Sequence, residues 1–434
     1  MAAPSLDAKL SSLKPTKVRY WVIFFAVTLS IVTYIDRVAL SLTKKQVAHD
    51  LNMSDSQMGW VFGAFAVAYA LFEIPSGFMG DKLGPRNVLM RIVLWWSAFT
   101  ALTGMTFNFL SIFFTQLLFG AGEAGCFPNI TRAFSTWLPR NERVRAQGII
   151  WLSARWGGAF TPLLLVGLFQ FLTWRQAFAA FGLLGVVWAI AFFLWFRDNP
   201  KDKAGVNQAE LDLLKNNAPP AGHANTPWKA LMTSRTVVLL CAQYFVLSFS
   251  WYFLITWFPS FVDERFHVNV ATSTMLKVMP LFFCGLGSLF CGFIFAPLSR
   301  WMGSVKTARR LLACTGFLGA SAFTVLAAFQ HEALYAVLAI AMANFCNDLV
   351  MPTSWGTVMD VSHGYSGTIA GTMNMMGNLG GAFYGPVTGL VLSAYGHNWD
   401  YVLFMGAGVY AIGFFLWLTL DPVTPITLPP ADAH

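Results

Sequence analysis

Residues 77–86 read GFMGDKLGPR, and residues 292–310 read GFIFAPLSRWMGSVKTARR. Both segments begin with Gly-Phe, run into basic residues and connect two long apolar runs. The acidic position of the first copy, Asp81, is Leu or Ser in the second. The recurrence of this connection predicts that the chain is built from two similar halves.

The composition indicates the class of protein. The chain has 434 residues, of which 56% are hydrophobic and only 11% are charged. A soluble protein of this length would need far more charge to cover its surface, so we expect an integral membrane protein. The net charge of +8 lies mostly in short loops between apolar runs, which indicates membrane topology and not nucleic-acid binding. The six cysteines form no CxxC pair, so no metal, disulfide or cofactor is expected.

Twelve apolar runs are long enough to cross a bilayer, because a spanning helix needs about 20 apolar residues. The predicted spans are 20–43, 57–79, 87–106, 109–131, 145–171, 175–196, 236–262, 270–298, 309–329, 333–360, 366–394 and 399–420. A long polar connection separates them into two sets of six. The sequence therefore predicts an all-α polytopic membrane protein with twelve transmembrane helices in two pseudo-symmetric six-helix bundles.

The same pattern predicts the segments of the chain and its orientation. The segments are a tail at 1–17, an N-terminal bundle at 18–196, a linker at 197–235, a C-terminal bundle at 236–420 and a tail at 421–434. The loops after odd-numbered spans hold few basic residues, namely Lys44, Lys45, Arg175 and Arg265. The positive-inside rule then places both termini and the linker in the cytoplasm, with the bundles in the inner membrane.

Residues 33–40, TYIDRVAL, place Asp36 and Arg37 side by side inside an apolar run. A charge near the centre of a bilayer costs about 3 kcal/mol on insertion scales, so we expect such residues to be functional. Neighbouring residues on a helix point about 100° apart. One of the two should therefore face other helices, and the other should face the central cavity.

Arg155 and Lys277 are cations that lie well inside predicted spans, away from the span ends. Together with Arg37 they favour an anionic substrate. Substrates with more than one negative charge are among the candidates. For Arg155 the alternative is an ion pair with Glu123 or Glu73. For Lys277 the alternative is a side chain that reaches the membrane interface.

A proton path through the membrane must use carboxyl groups, because the seven histidines all fall in predicted loops or tails. The carboxyl groups inside predicted spans are Asp36, Glu73, Glu123 and Asp348. A substrate anion that competes for Arg37 would shift the proton equilibrium of a neighbouring carboxyl group, which gives a physical basis for coupling. For Asp348 the alternative is a bond to a polar partner such as Asn344.

Uncharged polar residues in the spans are candidates for hydrogen bonds to a polar ligand. Tyr34, Tyr69 and Tyr252 carry hydroxyl groups suited to this contact, although packing or the interfacial belt is the alternative for each. Asn374 and Asn378 lie one helical turn apart, so they share one face of span 11 and are expected to meet the cavity.

The loop at 77–86 resembles the signature loop between spans 2 and 3 of the major facilitator superfamily, through Gly77, Asp81, Lys82, Gly84 and Arg86. Other stretches resemble the anion:cation symporter family of that superfamily, namely YIDRVALS, FGAFAVAYALFEIPSGFMGD, GAGEAGCFPNITRAFSTWLP, WYFLITWFPSF and NMMGNLGGAFYGPVTG. This family includes bacterial hexuronate, galactonate, glucarate and tartrate carriers and is related to animal sialin and vesicular glutamate transporters. The resemblance covers nearly the whole chain.

The resemblance also implies roles for particular residues. It makes Asp36 and Glu123 the proton-responsive groups and gives Arg37 a part in coupling protons to the anionic substrate. The remaining substrate-site positions that it implies are Tyr69 on span 2, Ser354 and Trp355 on span 10, and Asn374 or Asn378 on span 11. The loop residues Gly77, Asp81, Lys82, Gly84 and Arg86 are expected to form a conformational latch, as is Asp360 at the end of span 10.

Four positions depart from the pattern of sugar-acid carriers and leave the substrate open, namely Gln116, Glu73, Arg155 and Lys277. The sequence predicts a monomeric secondary transporter that carries an organic anion, such as a hexonate or hexuronate, with protons by alternating access. The alternatives are a dicarboxylate or an aromatic carboxylate as substrate, exchange or export instead of uptake by symport, and sodium instead of protons as the coupled ion. A membrane-embedded enzyme is disfavoured, because the chain has no HExxH motif and no histidine within a span.

Overall fold

The computed structural model describes residues 14–217, 226–266 and 270–427. The helices of the first half are α1 (Arg19–Asp50), α2 (Asp55–Leu83), α3 (Pro85–Thr103), α4 (Phe109–Glu123), α5 (Cys126–Trp137), α6 (Arg140–Leu168) and α7 (Trp174–Trp195). The linker holds α8 (Gln208–Leu214) and α9 (Trp228–Thr233). The helices of the second half are α10 (Arg235–Thr256), α11 (Phe258–Phe266), α12 (Val270–Trp301), α13 (Val305–Ala328), α14 (Ala333–Val361), α15 (Ser366–Ala394) and α16 (Trp399–Thr419).

Each predicted span corresponds to helix, and ten helical stretches in the described part of the chain are long and apolar enough to cross a membrane. The two spans outside that set are α3 and α15. α3 is only 19 residues long and contains Arg91, whereas α15 is rich in Gly, Ser, Thr and Asn, which lowers its hydropathy. Many large apolar side chains on the outer faces are exposed, as expected where a bundle meets lipid.

The two halves repeat the same packing, which confirms the prediction of two pseudo-symmetric bundles. In the first half, α1 packs on α6, α2 on α4 and α3 on α7. The matching pairs in the second half are α10 with α15, α12 with α14 and α13 with α16. The halves meet along two contacts, α6 with α12 and α2 with α15. Each contact joins the fifth span of one half to the second span of the other half, so the two contacts are equivalent.

The fourth span is broken, which the sequence analysis did not predict. Ala124 is extended and Gly125 has a φ of 81°, so α4 ends at Glu123 and α5 starts at Cys126. A Cβ atom at position 125 would collide with Ser76 of α2, and this left-handed conformation also favours glycine. The break places the carboxyl group of Glu123 at the end of a half-helix in the middle of the first half.

The tails and the linker lie at one end of the bundle, called the terminal end below. Thr16 donates through its backbone N–H to Asn207 at 3.2 Å, so the first tail contacts the linker. Asn217 of the linker donates to the carbonyl of Leu138 at 3.1 Å, and Ile426 of the last tail donates to the carbonyl of Val361 at 2.9 Å. The other end of the bundle is called the opposite end.

Candidate functional site

A cavity of about 330 Å³ lies between the two halves. Its volume falls in the range of small-molecule sites in proteins, about 300–1,000 Å³. The lining residues come from both halves and are Tyr34, Arg37, Val38, Ser41, Phe65, Tyr69, Phe127, Trp151, Arg155, Tyr244, Leu247, Ser248, Trp251, Tyr252, Ile255, Asn347, Met351, Asn374 and Asn378. On α1 and α10 these residues follow one helix face away from the terminal end, so the cavity extends toward the opposite end.

Arg37 presents its guanidinium to this cavity, and its side chain is 24% exposed. Its Nε atom donates to Oε1 of Glu123 at 2.7 Å, at the break between α4 and α5. Its Cζ atom lies 4.4 Å from the centre of the Tyr69 ring, within cation–π distance. The guanidinium is thus held by one carboxylate on one side and an aromatic ring on the other.

Asp36 faces away from the cavity, as expected for the neighbour of a cavity residue on a helix. Its carboxyl group is buried inside the first half, and neither oxygen has a hydrogen-bond partner among the described residues. The hydroxyl of Thr100 on α3 lies close to this carboxyl group, and it is also among the buried polar atoms without a hydrogen-bond partner in the described part of the chain. In the ranges that the structure describes, Asp36 is therefore a buried carboxyl group with few contacts that would stabilise a negative charge.

Arg155 is almost fully buried in the cavity wall, and its partner is Asp348. Its Nε and Nη2 atoms donate to the two carboxylate oxygens of Asp348 at 3.1 and 3.3 Å, across the interface between the halves. Its Nη1 atom makes a long bond of 3.4 Å to the hydroxyl of Tyr34, and its Cζ atom lies 4.2 Å from the Trp251 ring. The structure thus pairs Arg155 with neither Glu123 nor Glu73.

A second contact between the halves joins α2 and α15. Asn374 donates to Oε1 of Glu73 at 2.5 Å and to the hydroxyl of Tyr69 at 3.3 Å. In the second half, the hydroxyl of Tyr252 donates to Asn378 at 3.4 Å. The three predicted tyrosines and both asparagines therefore lie together at the cavity.

Trp355 and Ser354 lie beneath the cavity, and neither is a lining residue. Trp355 is fully buried, donates to the hydroxyl of Tyr244 at 3.1 Å, and packs against the rings of Phe127 and Trp151. Ser354 donates to Gln243 at 3.3 Å. These residues form a closed aromatic floor on the side of the terminal end, so their contact with a cavity ligand would be indirect.

Lys277 does not lie at the cavity. Its Nζ atom donates to both oxygens of Asp263 at 2.7 Å, and Asp263 belongs to the short helix α11. The ion pair is partly exposed. This position agrees with the alternative in which the lysine reaches out of the bundle, and it removes Lys277 from the group of cavity cations.

Asp81 of the predicted latch joins the halves at the terminal end. Its carboxylate accepts from the backbone N–H groups of Gly367 and Thr368 at 2.9 and 2.7 Å, and from the Thr368 hydroxyl at 2.7 Å. It also lies 3.3 Å from Nε of Arg132. The free amides at the start of α15 and its helix dipole both stabilise this negative charge.

Gly77 allows the close contact that brings Asp81 to α15. A Cβ atom at Gly77 would collide with the carbonyl of Gly367, and one at Gly367 would collide with the carbonyl of Gly77. Glycine at both positions therefore lets α2 and α15 approach backbone to backbone.

The remaining latch residues brace the first half. The backbone N–H of Arg86 donates to Asp198 at 2.8 Å, and its guanidinium donates to the carbonyl of Phe193. Gly84, with a φ of 84°, leaves room for Asp198. Burial raises the pKa of Asp198 to about 6 against the opposing effect of Arg86. Lys82 is exposed and lies 5.9 Å from the Phe78 ring.

Asp360 joins the halves on the other side of the terminal end. It accepts from Arg143 of α6 at 2.5 Å and from Arg309 of α13 at 2.6 Å. Arg143 also donates to Asn217 of the linker at 3.0 Å. The sequence analysis expected a latch role for Asp360 and missed Arg143, because a basic residue at the start of a span is common in membrane proteins.

Comparison with known proteins identifies the relatives of this chain. The sequence profile of the Major Facilitator Superfamily matches residues 26–385. A probable sulfoacetate transporter of Cupriavidus necator is 29% identical over 96% of this chain and 97% of its own length. A D-galactonate transporter of Escherichia coli is 26% identical over 90% of this chain and 93% of its own length. A probable galactarate/D-glucarate transporter of Bacillus subtilis is 26% identical over 96% of this chain and 94% of its own length.

Solved structures share the fold at low sequence identity. The proton:xylose symporter XylE superposes with a TM-score of 0.73 at 12% identity, over 94% of this chain and 97% of that one. The transporter FucP, solved in an outward conformation, gives a TM-score of 0.71 at 12% identity, over 93% of this chain and 99% of that one. At this identity the likeness establishes the arrangement of helices.

Proposed function

This chain belongs to the major facilitator superfamily and is a transporter, not an enzyme, and we propose that it carries a small organic anion, of the sugar-acid type, together with protons. The observation that carries the proposal is the pair of guanidinium groups at the cavity, Arg37 and Arg155, each backed by a buried carboxylate. Intramembrane charges are costly and are usually retained for a substrate or ion.

The chemistry of the cavity suits an anion with hydroxyl groups. The cations can bind a carboxylate or a sulfonate through paired hydrogen bonds. The hydroxyl groups of the three tyrosines and the amides of Asn374 and Asn378 can bind a polyhydroxylated chain. Relatives named as galactonate and galactarate/D-glucarate transporters support a sugar acid, and one named as a probable sulfoacetate transporter supports a smaller acid with two anionic groups.

The proposed proton carriers are Asp36 and Glu123. Asp36 is buried beside Arg37, and its oxygens have no hydrogen-bond partner within the described part of the chain, whereas Glu123 is the partner of Arg37. A substrate anion that binds Arg37 competes with Glu123 for the same guanidinium, and a proton on Glu123 removes the competition. Proton binding and substrate binding thereby favour each other, which is reciprocal linkage.

The proposed transport cycle rocks one half against the other around the cavity. In the conformation described here, contacts through Asp81 and Asp360 close the terminal end, whereas the cavity extends toward the opposite end. With the termini in the cytoplasm, as the distribution of basic residues predicts, this conformation faces outward. A single chain builds the whole cavity, which supports a monomer as the transporting unit.

Uptake into liposomes tests this proposal. Purified protein should accumulate labelled galactonate or galactarate when the external pH is lower than the internal pH. Arg37→Gln should abolish accumulation, and Lys277→Gln, at a cation remote from the cavity, should leave it intact. The proposal fails if no sugar acid or small carboxylate enters under any proton gradient. Exchange of internal for external substrate without a proton gradient, together with no accumulation under a proton gradient, would identify an exchanger.

A further inference from the structure

The two cavity arginines differ in what neutralises them. Arg37 is paired with Glu123 inside its own half, whereas Arg155 is paired with Asp348 of the other half. Asp348 uses both oxygens on the Nε–Nη2 edge of Arg155, the geometry in which a guanidinium binds a carboxylate ligand. Asp348 therefore occupies the edge of Arg155 that a substrate acid would bind.

Asp348 also has partners of its own on the second half. The hydroxyl of Ser288 donates to Oδ2 at 3.2 Å, and the amide of Asn347 donates to Oδ1 at 3.0 Å. Asn347 is held in turn by the hydroxyl of Tyr410 at 3.1 Å. These neutral donors stay with Asp348 when Arg155 turns away, so the carboxylate can release the arginine without losing all of its hydrogen bonds.

Arg155 is weakly held on the side that faces the cavity. Its bond to the Tyr34 hydroxyl is long, at 3.4 Å, and Trp251 contacts only its π-face. Tyr34 is also the neighbour of Arg37, whose Cζ atom lies 5.7 Å from the centre of its ring. The side chain of Tyr34 thus lies near both guanidinium groups at the cavity wall.

We propose that Asp348 is a tethered competitor of the substrate, and that the second acidic group of a dianionic substrate displaces it from Arg155 while the first binds Arg37. This inference rests on the proposed function and adds a specificity-determining residue to it. A monoanion binds at Arg37 and leaves the Arg155–Asp348 pair intact. A dianion opens that pair, and with it one of the bonds that join the two halves at the cavity.

Binding of two matched ligands tests the inference. Galactarate and D-galactonate share a six-carbon hydroxylated chain and differ in the second carboxylate, and sulfoacetate with acetate forms a smaller pair. Asp348→Asn keeps the shape but removes the competing charge, so it should tighten galactarate binding about tenfold and change galactonate binding little. Arg155→Gln should weaken galactarate binding by about tenfold more than it weakens galactonate binding.

The double variant Arg155→Gln/Asp348→Asn covers the case in which a single variant leaves a buried charge unpaired and fails to fold. Because its pair is neutral, it should fold and bind galactarate no better than galactonate. Equal effects of Asp348→Asn on both members of each ligand pair, or a dianion preference retained in the double variant, would overturn the inference while the proposed function stands. If neither ligand pair binds the wild type, the proposed function itself fails.

Discussion

Asp36 and Arg37 are sequence neighbours with opposite surroundings. The turn of about 100° per residue places the arginine at the cavity and the aspartate among the helices of its own half. The sequence was sufficient to predict this difference, because it depends only on helix geometry. The partner of Arg155 was beyond prediction, since Asp348 lies 193 positions away and several carboxyl groups were available.

The first prediction concerns the proposed proton site. Asp36→Asn replaces a carboxyl group that has no hydrogen-bond partner in the described ranges with a neutral group of the same shape. We expect the variant to fold as well as the wild type, to bind substrate and to exchange it. Its accumulation under an inward proton gradient should fall by about tenfold or more, the scale of a typical coupling free energy. Counterflow and gradient-driven uptake in the same liposomes measure the two properties.

Asp55→Asn is the matched control for this variant. Asp55 is exposed at the start of α2 and pairs with Lys44 at 3.2 Å, far from the cavity. Its replacement should leave both counterflow and accumulation unchanged. Full accumulation by Asp36→Asn would remove this residue from the coupling mechanism.

At the scale of the elements, the start of α15 is an anion-binding site filled by Asp81. Asp81→Asn replaces one acceptor oxygen with an NH₂ group, which then faces the backbone N–H of either Gly367 or Thr368. Loss of these charge-assisted bonds should cost about 1–3 kcal/mol and open the terminal end more often. Hydrogen exchange of the amides at 366–372 should become faster.

Lys82→Gln provides the control on the same loop. Lys82 is exposed, and among the described contacts its side chain meets only the Phe78 ring of the same half. Its exchange pattern should match that of the wild type. An unchanged exchange rate at the start of α15 in Asp81→Asn would contradict a latch role for this carboxylate.

The connection after α7 should make stability depend on pH. Asp198 has a pKa of about 6 in the folded protein because it is buried, against about 3.9 in an unfolded chain. At pH values between these two pKa values, the folded state therefore binds more protons than the unfolded state. The stabilisation from this group is complete below about pH 4 and is lost as the pH rises through 6. The expected change is on the order of 2 kcal/mol.

Asp198→Asn isolates this contribution. The variant keeps the acceptor oxygen for the backbone N–H of Arg86 but cannot titrate. The melting temperature of the wild type should fall relative to that of the variant between pH 4 and pH 6.5. Parallel melting curves across this range would show that the carboxyl group titrates as if it were exposed.

At the scale of the whole molecule, apolar runs and two similar loops were enough to predict twelve spans in two halves. The break at Gly125 was not predicted, because glycine is common inside membrane helices, whereas its left-handed backbone and its contact with Ser76 are visible only in the structure. Lys277 was misplaced as a cavity cation for a related reason. The length of a span does not specify the direction in which each of its side chains points. The structure shows that Lys277 pairs with Asp263.

Alternating access requires the terminal end to open in every cycle, and one pair of hydroxyl groups tests this requirement. Ser135 of α5 and Ser366 of α15 belong to different halves, and their hydroxyl oxygens lie 3.0 Å apart. A Ser135→Cys/Ser366→Cys variant brings two thiols to a separation that needs little movement for a disulfide bond. The six native cysteines are buried and free, so they should compete little.

Oxidation of this double variant should lock the conformation described here. Uptake should then stop and return on reduction with dithiothreitol, while a ligand added from the opposite end still raises the melting temperature of the oxidised protein. The two single variants should transport with or without oxidant. Transport at the wild-type rate by the fully cross-linked protein would mean that the halves need not separate at α5 and α15, and the rocking mechanism would have to be abandoned.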